Sequence, residues 1–579
     1  EKDGAEEIES AAYDPYRQRF LLTEFSETDA KQMDTTPRKF VPVTDHAVVP
    51  ASLLDEFHVT FRRGLADTEA ATLPSLLAPS LNIRSRLLQT WRSRDVDPNA
   101  WRTASPLEFT LLQQFGSYAD VFFAGQTETL TRPLRRLTAM HALNHGFCRA
   151  TVLVLMPLRS AASQFVTELL ALLPPTVNMF HNKDRFFSEY GTSDGDEDAG
   201  EGEGEEQDLK EWQRVFAQGN NDDSFQIGIS ISRRAVRFYS DYRQADIILA
   251  SPLGLRQQLG DEVVDVAETQ TLSSDFLSSI EVCVLDSASL LLMQNVEHVR
   301  HVLQALNVKP KEAPHADFAR LREWNLSFLG AYFRQTIVLA HGVEPMLQNL
   351  VTKCCRNHTG VVKYVRNYDS HTRESSPAIT RVVPQIKQIF QRMDLSSGRA
   401  LTLTPAEEVE LRFEYFQKHI FTPLLDNPRR HVLIFVPSYF DYVRIRNLFH
   451  DTMNEKLIRA VQCCEYTTPK QVSRARTSFF HGRCHVMLFT ERFHFYHQYQ
   501  MRGIHQIVWY GLPVMGDFYA EMLNMLEDTK QNDTVQDESK SSIALYTRHD
   551  LFRLQRIVGG KRADRMCQSN AKKATFLFC

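Results

Sequence analysis

Cysteine is scarce: nine in 579 residues, with two adjacent pairs, Cys354–Cys355 and Cys463–Cys464, and no CxxC. Adjacent thiols chelate a single metal poorly and no four-ligand spacing is present, so neither a zinc module nor a disulfide-stapled domain is expected; inert thiols in a reducing intracellular compartment fit better. No apolar run reaches the ~18–20 residues of a membrane-spanning helix. The chain has no GxxxxGK[ST], the loop that cradles phosphates in many nucleotide hydrolases. The opening EKDGAEEIES is acidic and polar, unlike a signal peptide, and lacks an initiating Met, so the numbering reads as beginning inside a longer protein.

What is present is an ordinary globular mixture, 43% hydrophobic and 24% charged, which excludes a collagen or a chain disordered throughout. At roughly 150 residues per domain the length predicts two to four domains. The net charge of −5 hides one segment: Asp194–Glu211 holds ten carboxylates and one Lys, and the remaining chain carries +4 without it. Glycine alternates with glutamate there (DAGEGEGEEQ), leaving too little apolar area to offset ordering entropy. It reads as a solvated insert at about 190–211, either a plain spacer or an acidic contact for a basic protein tail. The basic residues form only mild patches, Arg233–Arg234, Lys561–Arg562 and the run from Arg548 to Arg565, which is a weak signal for nucleic acid.

Continuous apolar runs alternate with helical periodicity. ATVLVLMP, FQIGISISR, ADIILASP, IEVCVLDSAS and RQTIVLAH read as strands, and helices between them predict a parallel sheet covered on both faces. FTLLQQFGSYADVFF is expected to be a helix ending near Gly116, followed by a turn. A second series, VVKYVRNY, HVLIFVPSYF, VQCCEYT, CHVMLFTERF, IHQIVWYGLP and SSIALYT, repeats the order. The expected fold class is α/β, with two tandem parallel-sheet lobes: an N-terminal extension over 1–100, a first lobe over 101–349 carrying the acidic insert, and a second over 350–579, the seam lying near 345–352.

Ligands of such sheets bind at the carboxyl ends of strands, so chemistry is sought there. MPLRSAA (156–162), SPLGL (251–255), VLDSAS (284–289), LAH (339–341) and LIFVP (433–437) occur in that order and strand context. The series resembles the motifs of two-lobed superfamily-two helicases of the DEAD-box type, which implies RecA-like lobes. The departures weigh more. FFAGQTETL (122–130) stands where the phosphate loop belongs, with Gly125 but no Lys. Asp286 could hold Mg²⁺, but its neighbour is Ser287, which cannot serve as a general base without an activating partner. FYAEMLNML (518–526) has none of the arginines expected in the last motif helix. Each missing component removes transition-state stabilisation, so no ATP turnover is expected and Asp286 is read as structural.

Longer strings carry a closer resemblance: MHALNH (140–145), FQIGISISRRAVRFYSDYRQADIILASPLGLR (225–256), DFLSSIEVCVLDSASLLLMQNVEHV (275–299), FRQTIVLA (333–340), CRNHTGVV (355–362), HVLIFVPSYFDYVRIRN (431–447), MRGIHQIVWYGLP (501–513) and LQRIVGGKR (554–562). On these the chain resembles the digestive-organ-expansion-factor family, also called the U3 small nucleolar RNA-associated protein 25 family. The resemblance implies a nucleolar, non-catalytic helicase-like factor of the small-subunit processome, acting in early pre-rRNA processing. Implied partners are processome proteins and pre-rRNA or U3 small nucleolar RNA, with no cofactor, membrane or small-molecule substrate. A nucleotide-dependent RNA remodeler with atypical motifs is the alternative. Candidate RNA or partner contacts are Arg159, which could equally form a local ion pair, Arg233, Arg234, Gly254, Arg502 and Gly503. Arg159, Gly254 and Arg502 are expected on strand-end loops. His494, His497 and His505, in and beside the aromatic run FHFYHQYQ, and His298 and His301 in HVRHV, are expected to pack rather than bind metal.

Overall fold

The computed structural model describes residues 105–568 and 574–578 apart from 147–150, 192–219, 260–273, 309–321, 370–374, 395–402, 454–457 and 527–539; before 105 it describes 23–35, 39–44, 49–64 and the single positions Tyr16, Arg19, Phe20, Ile83, Leu87, Thr90 and Trp91. The acidic segment and the opening decapeptide therefore lie outside the described residues. The chain divides into two compact units, Glu1–Arg366 and Asn367–Cys579.

The strands of the first unit are β1 (Val41–Pro42), β2 (Phe57–Arg63), β3 (Asp120–Ala124), β4 (Thr151–Leu155), β5 (Met179–His181), β6 (Gln226–Ile231), β7 (Ala235–Phe238), β8 (Ile247–Ala250), β9 (Ile280–Leu285), β10 (Gln335–Ala340) and β11 (Gly360–Arg366). They form one sheet in the order β1-β2-β11-β3-β10-β9-β4-β8-β6-β7-β5. Its centre, from β11 to β8, is parallel. Antiparallel strands flank it on both sides. Helices α1 (Pro106–Gly116), α2 (Glu128–Gly146), α3 (Arg159–Leu172), α4 (Lys183–Tyr190), α5 (Pro252–Leu259), α6 (Ala288–Ala305) and α7 (Pro345–Cys354) lie between strands. α1 is started by a capping box, Ser105 with Glu108, and Pro106 in its first turn.

Two expectations change here. The helix α1 does end at Gly116, but VFF is no turn: Asp120–Ala124 is the fully buried strand β3 in mid-sheet. VVKYVR does not open the second series. As β11 it runs parallel to β3 and antiparallel to β2, so without it both strands would lose their backbone partners on that side. The division between units falls after Arg366, not near 345–352.

The second unit adds β12 (Lys387–Arg392), β13 (Val432–Val436), β14 (Ala460–Cys463), β15 (Val486–Thr490), β16 (Gln506–Trp509), β17 (Ser541–Tyr546) and β18 (Thr575–Phe578), in the order β14-β15-β13-β16-β17-β12-β18. All pairs are parallel except β12 with β18. β12 and β18 are additions to the strands expected from sequence. The longer helices are α8 (Pro405–Phe416), α9 (Tyr439–Met453), α10 (Pro469–Phe480), α11 (Glu491–His497), α12 (Asp517–Asn524), α13 (Leu551–Val558) and α14 (Gly560–Gln568). Side chains alternate across a strand, so β13 feeds two cores. Leu433 and Phe435 pack with Trp509 and Tyr519 on one face. Val432, Ile434 and Val436 pack with Tyr442, Ile445 and Phe449 on the other.

Candidate functional site

In the first unit, only Gly125, Gln126 and Thr127 separate β3 from α2. That is too short to wrap a phosphate chain with backbone N–H groups. The link is also tied down. A Cβ on Gly125 would stand 2.4 Å from a ring carbon of Phe57 in β2, and Arg366 Nη2 donates to the Gly125 carbonyl at 2.7 Å. Gln126 N donates to Ala340 O at 2.9 Å. Gly125 thus serves close packing.

Asp286 follows β9 and is buried at 1% exposure. Arg135, from α2 and itself 5% exposed, donates to Asp286 Oδ2 through Nε at 2.8 Å and lies 2.7 Å from it through Nη2. Gln126 Nε2 donates to Asp286 Oδ1 at 3.2 Å. Arg135 also donates to Gln164. Ser287, at φ 52°, turns the chain into α6, its hydroxyl 3.4 Å from Asp286 Oδ2. A nucleotide-bound Mg²⁺ needs an accessible carboxylate oxygen, and here both oxygens accept hydrogen bonds and a guanidinium already neutralises the charge. These residues do not fit a metal–nucleotide complex. Sequence reasoning missed Arg135 and Gln126; the one available signal was an arginine inside the apolar stripe Leu134, Leu137, Met140.

Arg159 opens α3 and is held locally. Its guanidinium pairs with Asp222 at 2.8 Å, donates to Ser224 O at 3.1 Å and lies 5.3 Å from the Tyr190 ring centre. Gly254 in α5 leans on the same segment: an added Cβ would stand 2.5 Å from Phe225 O. The structure brings Arg159 and Gly254 together at the carboxyl edge of the sheet, near Asp286. Arg233 and Arg234 are exposed in the β6–β7 turn. Because β6 runs antiparallel to β8, that turn is at the opposite, amino edge.

Arg502 and Gly503 correct a further expectation. They do not sit on a loop leaving the carboxyl end of a strand. They lie just before β16, at the amino edge of the second unit's sheet. Gly503 takes φ 79°, and an added Cβ would be 3.4 Å from Phe480. The carboxyl edge carries Phe440, 86% exposed, and Tyr466, 72% exposed, which sequence reasoning passed over. His494 is buried against Phe489 and Phe518 and 3.3 Å from Glu521. No cluster of three or more metal-ligating groups occurs among the described residues.

Sheet, connections and the sealed strand end define an α/β protein whose strand-end carboxylate, Asp286, is locked in an internal ion pair. Residues 143–362 match the family model described as "UTP25, NTP hydrolase-like domain" and residues 378–578 that described as "Utp25, C-terminal domain". The U3 small nucleolar RNA-associated protein 25 homolog of Xenopus tropicalis is 35% identical over 86% of this chain and 66% of its own length. The Homo sapiens homolog is 32% identical over 86% and 67%, and the Schizosaccharomyces japonicus protein 31% over 84% and 74%. The chain belongs to the U3 small nucleolar RNA-associated protein 25 family, and spans about two thirds of the length of the first of these relatives. Among solved structures, the yeast DEAD-box splicing factor Prp28 superposes at 12% identity and a TM-score of 0.31, covering 92% of this chain and 89% of its own. At that score the superposition carries no functional argument.

Proposed function

We propose that the chain is a non-catalytic, helicase-like scaffold of the small-subunit processome, with two RecA-like lobes. It works in the nucleolus, in early pre-rRNA processing and 40S subunit biogenesis, through contacts to processome proteins and to pre-rRNA or U3 small nucleolar RNA. Membership of a family whose relatives are named U3 small nucleolar RNA-associated supports the setting. The observation that supports the non-catalytic half is the Arg135–Asp286 pair, which supplies from within the protein the positive charge that Mg²⁺ supplies to an active hydrolase. No helix among the described residues is long and apolar enough to cross a membrane.

Phosphate release by the purified chain, with and without single-stranded RNA, is expected to stay at background. Turnover that disappears in Asp286→Ala would overturn the non-catalytic reading in favour of an atypical nucleotide-driven remodeler. Depletion in cells is expected to stall early pre-rRNA processing, and re-expression of the protein to restore it.

A further inference from the structure

The amino edge of the second unit is rich in basic residues. Ala460, Val486, Val432, Gln506 and Ser541 are aligned across the neighbouring strands β14, β15, β13, β16 and β17. The residues immediately before them are Arg459, His485, His431, His505 and Lys540. Backbone pairing continues into this row: His485 N donates to Arg459 O at 2.9 Å, and His505 N to His431 O at 3.0 Å. At ~4.8 Å between strands, five such positions span roughly 19 Å. Just outside the row stand Arg430, Arg483 and Arg502, all exposed. Three of the lead-in segments, 427–431, 481–485 and 499–505 (NPRRH, HGRCH, YQMRGIH), contain no Asp or Glu, whereas the sequence before Arg459 carries Glu455 and that before Lys540 carries Glu527, Asp528, Asp533, Asp537 and Glu538. Burial, with the charges of Arg430 and Arg459 beside it, holds the His485 imidazole below its usual range, so His485 is a neutral member of the row.

A cavity of about 250 Å³ opens on this edge, lined by Ser473, Arg476, Thr477, Phe480, His481 and Arg502 among others. Phe480 closes α10 with 49% of its surface exposed. Arg476 is positioned by Gln500 O at 3.0 Å and stacks 5.0 Å from the Tyr499 ring centre. An exposed aromatic face beside arginines is the arrangement that holds single-stranded nucleic acid, with phosphates on the guanidinium forks and a base on the ring. An acidic peptide would use the charges, but only one that also carries an apolar side chain would cover Phe480.

We propose that the amino edge of the second unit is a single-stranded RNA-binding face: Arg430, Arg459, Arg483 and Arg502 take phosphates, and Phe480 stacks a base. This deepens the RNA-contact part of the proposed function and moves it away from the carboxyl edge, where ligands of such sheets usually bind.

The test uses the whole chain and fluorescence anisotropy with a labelled oligouridylate across a salt series. R430E/R483E/R502E is expected to weaken binding at least about tenfold and to flatten the log–log salt slope by about two, some 0.7 for each phosphate that is no longer neutralised. The charge-preserving R430K/R483K/R502K should stay within about threefold of the parent, and F480A should lose about fivefold or more. If the triple reversal does not fold, as judged by thermal melting, R502E and F480A singly carry the test. Unchanged oligouridylate affinity in the reversed variants overturns the proposal. So does a parent chain that binds polyglutamate but not oligouridylate, which would assign the edge to an acidic peptide. Either failure leaves the scaffold reading to be judged separately, by pre-rRNA processing in depleted cells.

Discussion

Arg135 and Asp286 are 151 residues apart in the chain, yet each is the other's main charge partner in a site both unpaired would find costly. Removing one member of a buried ion pair strands the other and costs about 3–5 kcal/mol, whereas replacing both by apolar groups is often neutral. Arg135→Ala is therefore expected to lower the melting temperature by many degrees, and Arg135→Met with Asp286→Leu to recover much of the loss. A double-mutant cycle checks this; additive effects would show that the pair is not coupled. The degenerate motif VLDSAS located Asp286 at a strand end from sequence alone. Its role was only half legible, because local pattern does not disclose a partner brought in by tertiary packing. The missing Lys and Glu indicated what Asp286 does not do, and only the structure showed what it does.

At the scale of elements, strongly apolar runs were the easiest to place: β4, β9, β10 and β13 are buried along their whole lengths or nearly so, and hydrophobicity announces them. The misses have physical causes. β3 follows α1 after only a short connection, so its five residues read as part of the turn after the helix. β11 comes after the helix α7 and begins a stretch that resembles the second series, and its true sheet is set by pairing with β2 and β3, which no local pattern encodes. Gly254 illustrates the same limit within one helix. As a motif residue it suggested an RNA contact. In the structure it lets α5 approach the backbone of Phe225, where an added Cβ would meet O, N and C at 2.5, 2.8 and 2.9 Å. Backbone atoms held in a sheet junction cannot step aside as a flexible side chain would. Gly254→Ala is thus expected to cost about 1–3 kcal/mol without altering oligouridylate affinity of the folded protein. Differential scanning calorimetry reads the first and anisotropy the second; a variant as stable as the parent that binds RNA more weakly would restore Gly254 as an RNA-touching residue.

Over the whole molecule, charge is distributed against its own average. The segment Asp194–Glu211 turns a chain of +4 into one of −5, while arginines gather at the amino edge of the second unit and in the β6–β7 turn of the first. A polyanion such as RNA responds to the field of the entire protein at low salt and to local contacts once that field is screened, over about 8–10 Å at physiological ionic strength. Deleting 194–211 removes nine net negative charges that repel RNA, without removing any of the arginines proposed to hold it. The deletion is expected to raise oligouridylate affinity several-fold at low ionic strength, with the gain fading as salt increases, and to leave the melting temperature nearly unchanged because a Gly/Glu sequence has little apolar surface to bury. The two readouts separate the roles weighed for this segment. A gain in RNA affinity at constant stability marks an electrostatic screen in front of a cationic protein. Constant affinity at constant stability marks a spacer. A large fall in melting temperature would mean that the acidic stretch packs against the fold, contrary to what its composition implies.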